Sequence, residues 1–206
     1  MRQALWLHLL FMVVVSAIGL LRVRYYRRQR RAFGIRFASR GKTLNEVRQV
    51  AAMLALLLML LHTINPNILS WTEFPLPYVV RWIGGGAAVL SVVLLAWAAD
   101  DAVHGVLADD PLPLHTTGPY AVVRHPLDAA IAFVAVALTV LSANRVIGLV
   151  SGVIAAHALF VRARRNAEQL RTTYGEAYQS YAAHTPRFVP RLRAKAPSVE
   201  AAARDR

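Results

Sequence analysis

Five long apolar stretches, at 4–21, 47–64, 78–99, 127–141 and 146–161, are set among polar segments of which two, 22–46 and 162 onward, are arginine-rich, and that pattern limits the fold more than any other feature. A helix that crosses a bilayer needs about 20 apolar residues, within a range of about 17–25. The first three stretches meet that length. The last two are shorter and are joined only by Ser142-Ala143-Asn144-Arg145, so a tight helical hairpin or one re-entrant unit is expected there. The expected fold is an all-α integral membrane protein with about five transmembrane helices and this C-terminal hairpin, forming one membrane domain over 1–193.

The charge balance fits the same picture. The 206 residues carry 24 Lys and Arg against 11 Asp and Glu, a net charge of +13, while 56% of the chain is hydrophobic. A charge of this size is the usual footprint of nucleic-acid binding. That reading needs the basic residues on a water-soluble surface, and here they alternate with apolar runs, so no nucleic-acid partner is expected. The chain has no cysteine, which excludes a disulfide scaffold, a thiolate zinc site, an iron–sulfur cluster and a cysteine nucleophile.

Basic residues also orient the spans, because Lys and Arg are retained on the cytoplasmic side of a membrane. Ten of the 24 fall between Arg22 and Arg48, ten more lie from Arg162 onward, and Arg124 precedes the fourth stretch. Only Arg2, Arg81 and Arg145 fall on the opposite side, so an N-out, C-in arrangement with five spans satisfies every basic residue. The charge follows the first apolar stretch instead of preceding it, so that stretch reads as a retained anchor, not a cleaved signal peptide. The expected location is a prokaryotic cytoplasmic membrane, with the chemistry on the cytoplasmic side.

Local signals agree with these boundaries. Thr43-Leu44-Asn45-Glu46 is a capping box before the second helix, Pro75 and Pro77 punctuate an outer loop, and Pro126 opens a helix. Gly84-Gly85-Gly86-Ala87-Ala88 gives the third helix a small face for close packing; it lies inside a span and lacks the Lys-Ser/Thr of a phosphate loop. No internal repeat is visible, and 194–206 reads as a disordered tail.

Polar groups gather in two segments, 100–126 and 162–193. Asp100, Asp101, His104, Asp109, Asp110 and His115 match no established metal-ligand spacing, so no metal site is expected. The run Thr116-Thr117-Gly118-Pro119-Tyr120-Ala121-Val122-Val123-Arg124-His125-Pro126 carries more information. Gly118-Pro119 is a turn that lets backbone approach a ligand, and Pro126 begins a helix whose free amides favour an anion beside Arg124 and His125. Two readings stand at this level: a carboxylate or phosphate site, or an Arg124 that snorkels to lipid headgroups with His125 capping the helix. In the second segment Tyr174, Tyr178 and Tyr181 are spaced to form one helical stripe. Thr185-Pro186-Arg187-Phe188-Val189-Pro190 then reads as a stiff extended strip.

Together the two segments resemble the integral-membrane methyltransferases that include isoprenylcysteine carboxyl methyltransferase and the phospholipid N-methyltransferases. The resemblance rests on Gly118-Pro119-Tyr120, Arg124-His125-Pro126, Leu170, Tyr174-Gly175, Tyr178, Tyr181 and Pro186-Arg187-Phe188-Val189-Pro190, in the family's order and around a hairpin. It covers about the C-terminal half. It implies a polytopic enzyme that binds S-adenosylmethionine near the cytoplasmic face and takes a lipid-like or isoprenoid-like acceptor from the membrane. Gly118, Pro119, Tyr120, Arg124, His125, Pro126, Tyr178 and Tyr181 are then the donor-binding candidates, and Glu168, Asp128 and Arg187 the catalytic ones.

The chain departs from the family pattern at Asp128 and Ala130, where Tyr and Gly are usual, and at Asn166 and Ala167, where a Glu pair is usual; Glu168 is the nearest carboxylate. Asp128 has two readings, a first-turn acid that complements the helix dipole or a boundary carboxylate that orients a cationic amine or takes a proton. A looser similarity to sterol reductases implies NADPH instead, although the Asn-Tyr that follows Arg-His there is absent. A third reading is a non-catalytic protein whose 22–48 segment, with ten basic residues against one Glu, binds anionic lipid headgroups.

Overall fold

The computed structural model describes residues 2–33, 57–104 and 114–190. Most of these residues are helical, with no strand among them. Helix α1 is Arg2–Phe33, α2 is 57–64, a 3-10 turn covers Pro66–Thr72, and α3 is Tyr78–His104. A single turn, α4, covers Pro119–Val122, and α5 is Pro126–Ser142. Helix α6 (Arg145–Ala156) continues through a π-helical turn, His157–Arg162, into α7 (Ala163–His184).

Among the described residues three helices are long and apolar enough to cross a membrane: Gln3–Tyr25, Tyr78–Asp100 and the 40-residue run Arg145–His184. Only 22% of the apolar window in each is buried, so most of the apolar surface faces outward, as suits a helical membrane protein. On α1, Leu7, Phe11, Val14 and Val15 face the bundle, while Leu5, Trp6, Leu9 and Val13 on the other side are exposed and equally apolar. Both faces are hydrophobic, and only one is used for packing.

The expected second span is described only at 57–64; its first half, the Thr43–Glu46 capping box and the 194–206 tail lie outside the described residues, as do 105–113. The fifth stretch differs from expectation. It does not end at 161 before a separate segment but continues in helical form to the kink at Gly175, because no Pro or Gly lies between 162 and 174.

Helix α5 is the centre of the bundle, packing against α3, α6 and α1. At 17 residues it is about 25 Å long, short of a hydrocarbon core of about 30 Å. Val134, Ala137, Leu138 and Leu141 are buried in the main core with Ala88 and Ile147. The glycine run of α3 permits this packing. A Cβ on Gly84 would stand 2.7 Å from Val140 and 2.9 Å from the Leu141 amide, and one on Gly85 would stand 2.5 Å from Leu10. Two adjacent glycines thus admit α5 on one side and α1 on the other.

One end of the bundle is closed by the hairpin tip. Ala143 takes a left-handed conformation with φ 51 and ends α5, and Asn144 caps α6 by accepting from the Val146 and Ile147 amides. The Asn144 amide also donates to Leu69 O at 3.0 Å, and the Phe74 amide donates to Ala143 O at 2.9 Å. Arg81 Nε donates to Leu141 O at 3.1 Å, covering an open carbonyl at the end of α5. The tip is thereby tied to the segment between α2 and α3.

Candidate functional site

The motif residues meet at the opposite end. Gly118 adopts φ 56, ψ −133, a region closed to side chains with a Cβ, and the reversal lets α4 begin at Pro119. After α4 the chain extends through Val123 (φ −143, ψ 147). The Arg124 amide donates to Pro186 O at 2.8 Å and the His125 amide to Arg187 O at 3.2 Å. These two bonds join the Arg-His-Pro run to the Pro-Arg-Phe strip, which lie about sixty residues apart in sequence. The Tyr181 hydroxyl donates to Tyr120 O at 2.6 Å, adding a third tie between the segments.

A sharp bend in α7 makes that meeting possible. Arg162 is bonded to Asp128, and Arg187 is bonded to His125, less than one turn away on α5. A straight helix from Arg162 to Arg187 would span about 37 Å, so α7 has to turn back. The break is at Gly175, with φ 52 and ψ −120, nearly the conformation of Gly118. Glycine is needed at this position for the same reason. The break also separates Tyr174 from Tyr178 and Tyr181, so the expected single stripe of three tyrosines is not continuous. Tyr178 and Tyr181 remain together, with ring centroids 6.2 Å apart.

Asp128 is 2% exposed and sits in the first turn of α5. It forms an ion pair with Arg162, whose Nε donates to Oδ1. Its other oxygen lies 3.9 Å from His125 Nδ1, too far for a hydrogen bond. The carboxylate therefore has an internal partner as well as the helix dipole. Sequence reasoning missed Arg162; the signal available was its place as the first basic residue after the fifth apolar stretch. It ends the π-helical turn, a feature frequent at functional sites.

His125 is 5% exposed. Burial, and then the neighbouring Arg187, Arg124 and Arg162, push its pKa from 6.5 down to about 4, so the imidazole is neutral at pH 7. It supplies no positive charge to an anion; that task falls to the arginines. The His125 ring lies 5.8 Å from Phe188, and the Arg187 guanidinium lies 5.0 Å from the Phe188 ring centre. Burial and the neighbouring Tyr178 push Tyr181 up to about 12, leaving its phenol a neutral donor to Tyr120.

Besides Arg162 Nη2, which faces Asp128 in the ion pair, three polar atoms in this cluster are buried with no hydrogen-bond partner: Arg124 Nε, His125 Nε2 and Tyr178 Oη. Each such group costs about 1–3 kcal/mol when left unmatched, and buried polar groups in folded proteins are ordinarily paired. Gly118 and the buried Pro119 and Pro126 shape the surrounding backbone. Glu168 is not brought into the cluster: it is exposed on the first arm of α7, about two turns before Gly175. Among the described residues no group of three or more His, Cys, Asp or Glu is placed to hold a metal.

Compared with known proteins, the chain matches no family model, and no curated protein matches its sequence closely enough to count as a relative.

Proposed function

We propose that this chain is an S-adenosylmethionine-dependent methyltransferase of the membrane, acting on a lipid-like or isoprenoid-like acceptor. The observation that carries the reading is the convergence of the Gly118–Pro126 turn and the Tyr178–Phe188 arm on one buried cluster with three unmatched polar atoms. Chemically the cluster suits the donor. Arg124 offers a guanidinium to the amino-acid carboxylate, and Tyr178 offers a hydroxyl and an aromatic face to a cationic centre. His125, being neutral, presents Nε2 as one hydrogen-bond partner without adding charge.

When bound, S-adenosylmethionine supplies an electrophilic methyl group for an in-line displacement. The protein's own contribution is alignment and exclusion of water. The bonds from Arg124 and His125 to Pro186 and Arg187 hold the two walls together, and Asp128 with Arg162 ties α5 to the start of α7. The proposed centre assigns no task to the exposed Glu168. Five crossings with N-out, C-in topology place both motif segments on the cytoplasmic side and leave the apolar helix faces open to an acceptor from the bilayer.

The test is calorimetric titration of the detergent-purified protein with S-adenosylmethionine and with its demethylated product, with NADPH as the contrasting ligand. Saturable binding of the first two, weakened about tenfold or more by Arg124→Gln, corresponding to a lost charge-assisted contact, is the expected result. Binding of NADPH alone, or no binding by monodisperse protein, sinks the proposal.

A further inference from the structure

A second feature lies apart from this cluster and involves none of its residues. The C-terminal halves of α1 and α3 flank an open cleft of about 380 Å³, within the size range of small-molecule sites. Its wall is apolar, from Leu21 on α1 and from Val93 and Ala96 on α3, and its mouth carries Arg24 and Asp100. Tyr25 and Trp97 complete the lining. These residues recur at helical spacing, three on α1 and the rest on α3, so the cleft is a groove between two facing stripes.

The surroundings indicate what fits there. Leu20, Val23, Leu90 and Val93 are exposed on the same two helices, so the groove opens onto apolar surface. Its polar mouth coincides with the start of the arginine-rich segment that begins at Arg22. An occupant therefore has an apolar chain on one side of the boundary and a headgroup on the other. The mouth presents one cation and one anion. A purely anionic headgroup meets Asp100, and a purely cationic one meets Arg24; a headgroup carrying both charges satisfies both. Arg24 and Asp100 stand 3.9 Å apart with side chains 63% and 47% exposed, beyond hydrogen-bond length. An exposed ion pair of this kind is weak, so the charges of a ligand can compete with it. The rings of Tyr25 and Trp97 provide faces for an ammonium group.

We propose that this groove binds a zwitterionic phospholipid, with the phosphate at Arg24, the ammonium at Asp100 and an acyl chain along Leu21, Val93 and Ala96. The inference is independent of methyl transfer and holds whether or not the chain is an enzyme.

Full-length protein, stripped of loosely held lipid in detergent, is titrated separately with phosphatidylethanolamine and phosphatidylglycerol, and bound lipid is counted by native mass spectrometry. The expected result is one phosphatidylethanolamine retained with about a fivefold preference over phosphatidylglycerol, and about a fivefold loss in Arg24→Gln and in Asp100→Asn, as modest electrostatic contacts predict. Ala96→Trp, which fills the groove without altering charge, removes the bound lipid. Equal or stronger retention of phosphatidylglycerol overturns the assignment in favour of a general attraction to the basic end. Unchanged retention in all three variants, each melting like the parent protein, overturns the groove as the site.

Discussion

The two ends of the bundle are both polar and both partly buried, and they differ in degree: Asn144 at the hairpin tip is fully paired, with one unmatched atom, His62 Nδ1, buried nearby against His8 and Phe11, whereas the motif end gathers several. At the hairpin tip Asn144 is 0% exposed, and both ends of its side-chain amide are used, to Leu69 O and from the Val146 and Ile147 amides. At the motif end, Arg124 Nε, His125 Nε2 and Tyr178 Oη are buried and unmatched. A fully matched buried network serves to specify one packing arrangement. Unmatched groups lower stability unless something else repays the cost, so they are expected where a ligand binds. The tip is thus read as structural and the motif end as functional, and the following experiments set out to break that contrast.

The largest effect is expected at the ion pair behind the motif end. Asp128→Asn leaves the Arg162 guanidinium facing a neutral amide, and breaking a buried pair from one side costs about 3–5 kcal/mol. Thermal unfolding in detergent measures it, and Asp128→Asn with Arg162→Gln should recover part of the loss. A single substitution that is neutral for both stability and donor binding would show that the pair does not secure α7 to α5.

Asn144→Ala comes next. It removes a helix cap and one of the two donors to Leu69 O, the Thr72 hydroxyl at 2.7 Å being the other, for a loss of about 1–2 kcal/mol, with donor affinity per folded molecule unchanged. A loss of donor binding in protein that remains folded would contradict the separation of the two ends.

The third prediction concerns pH. In the folded protein His125 has its pKa lowered from 6.5 to about 4. Between those values the unfolded chain binds a proton that the folded chain does not, so stability falls as pH drops from about 6.5 to about 4 and is fully present above 6.5. His125→Asn should flatten that part of the stability profile, and an unchanged slope would place its cause elsewhere.

The smallest change in stability gives the sharpest contrast. Tyr178→Phe removes a buried hydroxyl that has no partner, so the melting temperature should stay level or rise slightly, while S-adenosylmethionine binds more weakly. A large loss of stability would mean that the hydroxyl is matched within the protein and is not reserved for a ligand.

Much of this was legible along the chain. The apolar stretches at 4–21, 78–99 and 127–141 fall within α1, α3 and α5, and the hairpin turns where Ser142–Arg145 leaves too few residues for anything longer. The small face of Gly84 and Gly85 is the site of close packing. These are local properties, set by hydrophobicity, chain length and the absence of side chains. The candidate site was legible as residue types in order. Its inner logic was not: Arg162 as the partner of Asp128, Gly175 as the point of reversal, and the exposure of Glu168 all depend on where α7 goes after leaving the bundle.

The sequence by itself determined that this chain forms apolar helices, because burial of hydrophobic surface and the cost of unpaired backbone act on each stretch independently of the rest. Only the tertiary structure decided that α5 is central, that His125 is neutral and that Arg124 and Pro186 are neighbours. Those outcomes arise from contacts between residues distant in the chain, where desolvation and charge depend on what has been brought alongside.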